Sequence, residues 1–372
     1  MLKAPPPPPA APTNPGQIRV LIVDDSALVR QVLTEVLSSD PGVSVAGAVS
    51  DPLRALDAVD RLQPDVVTLD VEMPGIDGLS LLGKLMRSRP TPVVMISSVT
   101  ESGCWATIRA LELGAADFVT KPRLDVRHGT EALAGELVAK VKAAARSGRI
   151  PAEPPAETPA HRRPPRDPRD SAPRPPVRLV AAGASTGGTE ALRAILTQLP
   201  ADCPPVLAVQ HMPAGFTRAF AARLDEICPL HVREAVDGDP VLPGQCLIAP
   251  GGVHMEVAPV RSGLCVRLHS GEPVNRHRPS VDQLFLSCAR QAAPGALGIL
   301  LTGMGEDGAR GMLALHRAGC HTIAQDQHTS TVFGMPGAAI ALGAADEVVP
   351  LGRIAGRILA GVNGSSHGAS RR

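Results

Sequence analysis

The sequence predicts two α/β domains, each built on a mainly parallel sheet. Short runs rich in valine, isoleucine and leucine alternate with segments of helical length in both halves of the chain, and such alternation is typical of parallel sheets covered by helices. The length of 372 residues exceeds what one ordinary hydrophobic core organises. A proline-rich stretch over residues 147–176 separates the two halves and predicts a linker between domains.

Five apolar runs in the N-terminal half predict five strands, each followed by a helix-length segment except for the longer loop after Asp70. Five βα units predict a doubly wound (βα)5 domain, because right-handed crossovers place helices on both faces of a parallel sheet. The predicted strands lie near Arg19–Val23, Val43–Ala48, Val66–Leu69, Val93–Ile96 and Phe118–Thr120.

The C-terminal half repeats this alternation over a longer stretch and predicts a second, larger α/β domain that is doubly wound and mainly parallel. An antiparallel hairpin is expected within it, around Val253–Val257 and Leu264–Leu268. The other predicted strands lie near Leu179–Ala182, Pro205–Gln210, Leu247–Ala249, Ile299–Leu301, Thr322–Ala324 and Glu347–Val349.

The same patterns predict the domain boundaries. The first domain is expected over residues 17–146 and the second over 177–363, joined by the linker at 147–176, while residues 1–16 and 364–372 are expected to be disordered tails. The arginines of the linker could form a binding patch. A solvated, semi-rigid proline-rich spacer is the simpler interpretation.

Composition argues against several classes of function. The formal net charge is +1 and the only aromatic residues are five Phe and one Trp, so the chain lacks the positive field and the stacking platforms of nucleic-acid binders. The seven cysteines are scattered without a CxxC pair, which fits a reducing compartment. No apolar run reaches the ~18 residues of a membrane span, and the proline-rich N-terminus is unlike a signal peptide. We therefore expect a cytoplasmic protein without nucleic-acid binding or membrane insertion.

Polar residues follow the predicted strands of the first domain at the points where those strands end. Asp24 and Asp25 follow the first strand, Asp70 the third, Ser97 the fourth and Lys121 the fifth, and such positions converge at one sheet edge. Converging carboxylates repel one another unless a hard cation such as Mg²⁺ binds among them. Asp70 could then attack phosphorus and carry an acyl phosphate. Loop caps and a surface lysine are the alternative for any one of these residues alone.

The segments VLIVDDS, VVTLDVEMPGIDG, VVMISS and DFVTKP resemble the motifs of response-regulator receiver domains over about residues 17–145. The resemblance implies a flavodoxin-like (βα)5 fold. It also implies that Asp70 accepts phosphate from a histidine kinase of the chemotaxis type.

Further roles are implied by the same resemblance. Mg²⁺ would be held by Asp25, Asp70 and the backbone carbonyl of Glu72, with Asp24 in the same acidic cluster. Ser97 and Phe118 would form the switch pair, and Lys121 would contact the phosphoryl group. Phe118 stands where some receivers carry tyrosine, so a switch that depends on a tyrosine hydroxyl is not available here.

Ser185 is the candidate nucleophile of the second domain. The run VRLVAAGASTGGTEALRAIL predicts a strand, a tight glycine-rich turn and a helix, and GASTG has the G-x-S-x-G form that presents a serine hydroxyl at a helix N-terminus. Two other interpretations stay open. Ser185 could simply cap the helix, or the turn could bind phosphate, although it lacks the G-x-G-x-x-G dinucleotide pattern.

His211 and Asp307 are the candidate base and its partner. His211 ends the strand VLAVQ, and Asp307 follows the strand and glycine-rich turn of ALGILLTGMGEDGA, so both are expected at the sheet edge that carries Ser185. His254 and Asp282 are rivals for these roles. They are less favoured, because His254 falls near the predicted hairpin and Asp282 within a predicted helix.

The segments GASTGG, VQHMP, NRHRPSVDQLF, LTGMGEDGA, AQD and FGMPGAA resemble the catalytic domain of chemotaxis protein-glutamate methylesterases, the CheB family, over about residues 177–362. The order receiver, linker, esterase is also that of the family. The resemblance implies Ser185, His211 and Asp307 as the catalytic residues, and the backbone amides of Thr186 and Met304 as the oxyanion hole.

The resemblance also implies what the protein acts on and how it is controlled. Its substrates would be glutamyl methyl esters and particular glutamines on methyl-accepting chemotaxis receptors, and phosphorylation of Asp70 would activate the esterase. The catalytic domain would need no cofactor. Glu306 stands where a smaller or neutral residue is expected more often, so its role is open. A non-catalytic signalling adaptor controlled by the receiver is the alternative, and nucleotide binding at the glycine-rich turn is a third.

Overall fold

A computed structural model describes residues 16–73, 78–121, 129–147 and 176–362. They form two compact units, one on each side of residue 150. Residues 1–15, 148–175 and 363–372, which include nearly all of the predicted tails and linker, lie outside the described residues. Within the described parts of the chain, no helix is both long and apolar enough to cross a bilayer.

The N-terminal unit is a five-stranded parallel sheet with the strand order β2-β1-β3-β4-β5. Strands β1 and β3 are apolar on both faces because helices cover both sides. Their side chains pack with apolar residues of α1 and α5 in one core. The strands are β1 Ile18–Val23, β2 Val43–Val49, β3 Val66–Asp70, β4 Val93–Ser97 and β5 Asp117–Thr120; the helices are α1 Ala27–Ser38, α2 Pro52–Leu62, α3 Gly78–Ser88, α4 Glu101–Glu112 and α5 Gly129–Ser147.

The C-terminal unit is a seven-stranded parallel sheet with the order β14-β13-β12-β6-β7-β9-β8, accompanied by the antiparallel hairpin β10-β11. The strands are β6 Leu179–Ala184, β7 Val206–Gln210, β8 His231–Glu234, β9 Gln245–Ile248, β10 His254–Val260, β11 Gly263–His269, β12 Ala296–Leu300, β13 His321–Gln325 and β14 Glu347–Val349; the helices are α6 Gly188–Leu196, α7 Phe216–Ile227, α8 Val281–Gln291, α9 Ala309–Arg317, α10 Met335–Ala341 and α11 Leu351–Val362.

The strand order of this larger sheet creates a crevice at its centre. From β6 the chain adds β7, the edge strand β8 and then β9 between these two on one side, and it later returns to add β12, β13 and β14 on the other side. The loops after β6 and β12 therefore run to opposite sides, and this switch point is where open α/β sheets form their sites. The hairpin packs against α8, and the amide of Val257 donates to Ser287 Oγ at 3.0 Å.

The predicted fold class is confirmed in both units. One strand, β8, was missed by the sequence analysis. It is a four-residue edge strand of sequence HVRE with a single buried residue, so it carries almost none of the apolar signal from which the other strands were predicted.

Candidate active site

Ser185 lies in the turn between β6 and α6. Its amide donates to the Thr302 carbonyl at 3.0 Å, and its carbonyl accepts from Gln210 Nε2 at 2.9 Å. The N-cap of α6 is Gly187, whose φ of 76° lies in the left-handed region that favours glycine. Ser185 is therefore not the helix cap, and this alternative for its role is removed.

His211 follows β7 directly, beside Ser185. In the parallel register of β6 and β7, Ala184 pairs with Gln210, so the next residue of each strand is Ser185 on one and His211 on the other. The His211 amide donates to the Ala184 carbonyl at 3.1 Å. The His211 side chain is 7% exposed, so the imidazole lies at the crevice with little access to solvent.

Asp307 accepts a hydrogen bond from His211, with 2.9 Å between Nε2 and Oδ2. The carboxylate is buried and also accepts from Ser280 Oγ (2.7 Å), the Val281 amide (2.7 Å) and Asn275 Nδ2 (2.8 Å). Burial alone would raise the pKa of Asp307. The hydrogen bond and charge of His211, together with Asn275 and Ser280, lower that pKa far below its ordinary value. Asp307 is thus held as an anion against the imidazole.

One nitrogen of His211 remains available for chemistry. With Nε2 directed at Asp307, the buried Nδ1 has no hydrogen-bond partner in the part of the chain that the structure describes. The neutral tautomer assigned from these contacts carries its proton on Nε2 and a lone pair on Nδ1. The structure therefore joins His211 to Asp307 and places Ser185 at the adjacent strand end, without a hydrogen bond between Ser185 Oγ and His211 among the contacts of the described residues.

The loop after β12 packs directly on Ser185. A Cβ added to Gly303 would lie 2.7 Å from the Ser185 Cβ and 2.2 Å from Met335 Sδ, so only glycine fits there. Met304 follows in this loop, with its side chain exposed at the rim. Neither the Met304 amide nor the Thr186 amide donates a hydrogen bond to another of the described residues, which leaves two donors near Ser185 for an anion.

The two rival residues have other roles in this unit. His254 donates from Nε2 to the Glu272 carbonyl at 2.9 Å and accepts from the Ser280 amide through Nδ1 at 3.2 Å, so both of its nitrogens hold a loop in place. Asp282 lies in the first turn of α8 and accepts from Asn275 at 2.8 Å. Burial and the charge of Asp307 raise the pKa of Asp282. The Asp282 amide donates to Asp307 Oδ1 at 3.3 Å, and Asn275 bridges the two carboxylates, so Asp282 contacts Asp307 rather than His211.

Three residues of this site were missed by the sequence analysis, and all three lie in the loop 270–280 between β11 and α8. Asn275 and Ser280 hydrogen-bond Asp307. The ring of His277 stacks on that of His211, with centroids 3.7 Å apart and planes 9° from parallel. The segment NRHRPS was the only signal. A polar run without periodicity does not say which distant side chains it will contact.

A second cluster lies at the carboxyl ends of β1 and β3. Carboxylate oxygens of Asp24, Asp25 and Asp70 lie within 4.8 Å of one another. Lys121 Nζ lies 2.8 Å from Asp70 Oδ2 and 4.0 Å from Asp24 Oδ2. The structure thus brings together the three carboxylates and the lysine that the strand ends predicted.

The electrostatics of this cluster fit a divalent cation. Asp24 Oδ2 is buried and has no hydrogen-bond partner among the described residues, and oxygen atoms are the ligands of Mg²⁺. Burial, followed by the charge of Asp70, raises the pKa of Asp24 to about 6. Burial also raises the pKa of Asp70, against the hydrogen bond from Lys121. The site carries an excess of negative charge that a cation would relieve.

The predicted switch residues, Ser97 and Phe118, are both buried. Ser97 Oγ lies 3.2 Å from the Gly103 carbonyl and accepts from Thr107 Oγ1 at 2.7 Å. Phe118 is buried, and Lys140 Nζ lies 5.1 Å from its ring centroid. Ser97 is thus engaged with α4 in this structure.

The Glu72 side chain is tied to the loop before α4. Its carboxylate accepts from Ser98 Oγ at 2.8 Å and from Thr100 Oγ1 at 3.1 Å. Thr100 is itself the N-cap of α4. These contacts involve the carboxylate, so the metal-binding role of the Glu72 carbonyl stays a prediction.

Replacing Asp24 by asparagine should stabilise the N-terminal unit without Mg²⁺. The pKa of Asp24 in the folded protein, about 6, exceeds the ordinary value of 3.8. Ionised Asp24 therefore destabilises the fold most above pH 6, and this destabilisation decreases as the pH falls towards 4. Asp24→Asn should therefore raise the unfolding free energy at pH 7.5 by roughly 1 to 3 kcal/mol, with a smaller gain at pH 5.

Urea unfolding of the full chain in EDTA measures this change. The control is Asp57→Asn, at an exposed aspartate of α2, which should change stability by less than about 0.5 kcal/mol. A loss of stability in Asp24→Asn at pH 7.5 would contradict the raised pKa. Added Mg²⁺ should stabilise the wild type more than Asp24→Asn.

Two family models match this chain. The response regulator receiver domain family matches residues 20–133, and the CheB methylesterase family matches residues 180–358. Solved structures of similar chains include the Thermotoga maritima CheB methylesterase catalytic domain (38% identity, 49% of this chain and 97% of that one, TM-score 0.48) and the response regulator domain of Thermotoga maritima CheB (43% identity, 35% and 97%, TM-score 0.32).

Full-length relatives are also similar. "Protein-glutamate methylesterase/protein-glutamine glutaminase 1" of Xanthomonas campestris pv. campestris is 53% identical over 355 residues, which cover 92% of this chain and 97% of the relative. "Protein-glutamate methylesterase/protein-glutamine glutaminase" of Bordetella bronchiseptica is 54% identical over 352 residues, covering 94% and 99%. The resemblance drawn from the motifs is confirmed, and the chain belongs to the CheB family of protein-glutamate methylesterases/protein-glutamine glutaminases.

Proposed function

We propose that this chain removes methyl groups from glutamyl methyl esters on chemoreceptors, and deamidates particular glutamines there, with Ser185 as the nucleophile. Membership of the CheB family makes the chain a methylesterase and glutaminase of chemotaxis adaptation with a receiver domain. The assignment of Ser185 rests on the hydrogen-bonded pair of His211 and Asp307 at the strand end adjacent to Ser185.

The first half of the reaction is acyl transfer to the enzyme. His211 Nδ1 takes the Ser185 proton while Oγ attacks the side-chain carbonyl carbon of the substrate. The imidazolium that forms is stabilised by Asp307, whose anionic state is supported by Asn275 and Ser280. Collapse of the tetrahedral intermediate breaks the ester C–O bond, or the amide C–N bond of a glutamine. His211 gives the proton to the leaving group, which departs as methanol or as ammonia.

The second half restores the enzyme. Water attacks the acyl-enzyme, His211 takes its proton, and the Ser185 oxygen leaves as a hydroxyl when that proton is returned to it. The product is a glutamate side chain. The same groups thus act twice, and the reaction needs no acid or base beyond His211.

The amides of Thr186 and Met304 are proposed to bind the oxyanion of both tetrahedral intermediates. Two observations support this proposal. Neither amide donates a hydrogen bond to another of the described residues, and Met304 directly follows Gly303, which packs on Ser185. A donor aimed at a developing oxyanion contributes about 3 kcal/mol to the transition state. Gly303 is the residue that allows this close approach.

Asp70 is the proposed phosphoacceptor of the receiver domain. Mg²⁺ would be held by Asp25, Asp70 and the Glu72 carbonyl, with Asp24 beside them, and when bound it supplies positive charge for the incoming phosphoryl group. Lys121, 2.8 Å from Asp70 Oδ2, would contact the new phosphoryl oxygens. Burial opposes the ammonium of Lys121, but the hydrogen bond and charge of Asp70 hold its pKa above the ordinary value, so it stays a cation.

Ser97 and Phe118 are the proposed switch pair. Ser97 would exchange its present contacts with α4 for a phosphoryl oxygen. The exchange would break the hydrogen bonds of Ser97 with Gly103 and Thr107 of α4. Phosphorylation of Asp70 would thereby change the position of α4.

Partners and domain limits are part of the proposal. A histidine kinase of the chemotaxis type would supply the phosphate, and methyl-accepting receptors would supply the substrate. The receiver is assigned to residues 17–146, the linker to 147–176 and the catalytic domain to 177–363. Because both domains belong to one chain, each stays at a high local concentration near the other, and the unphosphorylated receiver would inhibit the esterase.

Methanol release from methylated receptor membranes tests this function. The wild-type rate should rise several-fold with a small phosphodonor and Mg²⁺, and Asp70→Asn should show only the unstimulated rate. Asp57→Asn, at an exposed aspartate of the same unit, is the matched control and should respond as the wild type does. A wild type that releases no methanol would instead favour the non-catalytic adaptor, and stimulation that persists in Asp70→Asn would remove Asp70 as the phosphoacceptor.

A further inference from the structure

Within the described residues, the catalytic imidazole is held by a hydrogen bond at one nitrogen only. His211 Nε2 is hydrogen-bonded to Asp307, while Nδ1 has no hydrogen-bond partner there. A single hydrogen bond fixes the distance between those two atoms but lets the imidazole plane swing about that contact. Proton transfer from Ser185 requires Nδ1 to point at its hydroxyl, so the plane of the ring must be fixed by something else.

The His277 ring lies flat on His211. The ring centroids are 3.7 Å apart and the planes differ by 9°, which is stacked contact over a whole ring face. This contact comes from the loop between β11 and α8, a different part of the chain from the strand that carries His211 or the loop that carries Asp307. It therefore restrains a motion that the hydrogen bond to Asp307 does not.

A tight turn over residues 274–277 presents His277 in this position. The amide of each end residue donates to the carbonyl of the other, at 3.1 Å from Val274 and at 2.9 Å from His277. The two central residues, Asn275 and Arg276, have φ of 51° and 68°. Such conformations cost free energy in residues other than glycine and persist only where the surroundings hold them.

The same turn contacts the partner of His211. Asn275 Nδ2 donates to Asp307 Oδ1 at 2.8 Å and also lies 2.8 Å from Asp282 Oδ2. One four-residue turn thus contacts both members of the catalytic pair, the base through His277 and the carboxylate through Asn275. The strained backbone of this turn is accounted for by these two contacts.

We propose that His277 is a positioning residue, which fixes the ring plane of His211 by stacking so that Nδ1 is aimed at Ser185. This role rests on the proposed function of Ser185 and His211. It requires a flat ring at position 277 and no proton transfer by His277. Since it acts on the chemical step, it should govern kcat and leave KM for the receptor unchanged.

The test compares His277→Phe with His277→Leu in the full chain, using methanol release from methylated receptor membranes in the presence of the phosphodonor. Phenylalanine keeps a flat aromatic face, whereas leucine fills a similar volume without one. We expect His277→Leu to lower kcat about 10- to 100-fold at an unchanged KM. His277→Phe should recover most of the wild-type kcat. His231→Leu, at an exposed histidine of the edge strand β8, is the control and should match the wild type.

Other results would overturn the proposal. Equal losses of kcat in the phenylalanine and leucine variants would show that a polar atom of His277 is needed rather than its face. An increase in KM at unchanged kcat would assign His277 to substrate binding, and two variants with wild-type kinetics would leave it without a role. If His277→Leu fails to fold, His277→Gln takes its place and must lose the same kcat. A wild type without methanol release would contradict the proposed function itself, which separates the two failures.

Discussion

Replacing Ser185 by alanine is expected to lower methanol release from methylated receptor by about four to six orders of magnitude, the range of losses when a catalytic serine is removed. The alanine variant lacks the oxygen that carries the acyl group. The remaining donors and His211 can only orient a water molecule, which accounts for a small residual rate. The release of ammonia from receptor glutamines should fall by the same factor, because both reactions use the same acyl-enzyme.

The fold should be unaffected by this change. Ser185 contacts Thr302 and Gln210 through its backbone, so alanine preserves these contacts. Ser262→Ala, in the exposed turn of the hairpin β10-β11, is the matched control and should retain wild-type activity. Persistent methanol release from Ser185→Ala, at more than about 1% of the wild-type rate, would exclude Ser185 as the nucleophile.

Replacing Asp307 by asparagine is expected to reduce kcat by about four orders of magnitude, the loss typical of a Ser-His-Asp enzyme whose aspartate becomes an amide. The imidazolium form of His211 would lose its counter-ion. In the wild type, Ser280 Oγ, the Val281 amide and His211 all donate hydrogen bonds to the Asp307 carboxylate. The NH2 group of an asparagine would place a donor against one of these donors. A wrong tautomer of His211 is the expected result, with the proton on Nδ1 instead of Nε2.

Stability should change along with activity in Asp307→Asn. The folded pKa of Asp307 lies far below its ordinary value, so its ionised form stabilises the wild type above about pH 4, and this contribution is lost only as the solution becomes strongly acidic. The variant lacks it at neutral pH and should therefore unfold at a lower temperature, while the difference between the two proteins shrinks in acid.

Glu306→Gln is the control for Asp307→Asn. Glu306 is exposed and directly precedes Asp307, so the variant removes one negative charge beside the site and leaves the His211 contact intact. We expect its kcat to remain within about twofold of the wild type. Equal losses in the two variants would mean that net charge near the crevice matters and that the hydrogen bond to His211 does not.

The sequence was sufficient to predict the scaffold, the two strand ends that carry Ser185 and His211, and the loop after β12 that carries Asp307. Buried parallel strands appear as apolar runs, and the residue after each run must lie at the carboxyl edge of the sheet. Asp24, Asp70 and Lys121 were predicted at one edge for the same reason. Local sequence patterns therefore predict where a residue lies when a strand or helix determines its position.

The residues that hold the site in place were beyond this reasoning. The loop between β11 and α8 is irregular and carries Asn275, His277 and Ser280. Their contacts with His211 and Asp307 depend on the path of the chain from the hairpin back to the main sheet. Nothing periodic in NRHRPS specifies these contacts. The tautomer of His211 was equally hidden, since it follows from which nitrogen Asp307 contacts.

Covalent labelling with a fluorophosphonate tests the central claim, that Ser185 is activated by His211 and Asp307. The reagent should form one phosphonyl adduct per chain, located on Ser185 by peptide mass spectrometry, with loss of methanol release in proportion. Labelling should be absent in Ser185→Ala, slowed by about four orders of magnitude in Asp307→Asn and unchanged in Glu306→Gln. Inactivation with the adduct on another residue, or labelling of Ser185 at the wild-type rate in Asp307→Asn, would contradict it.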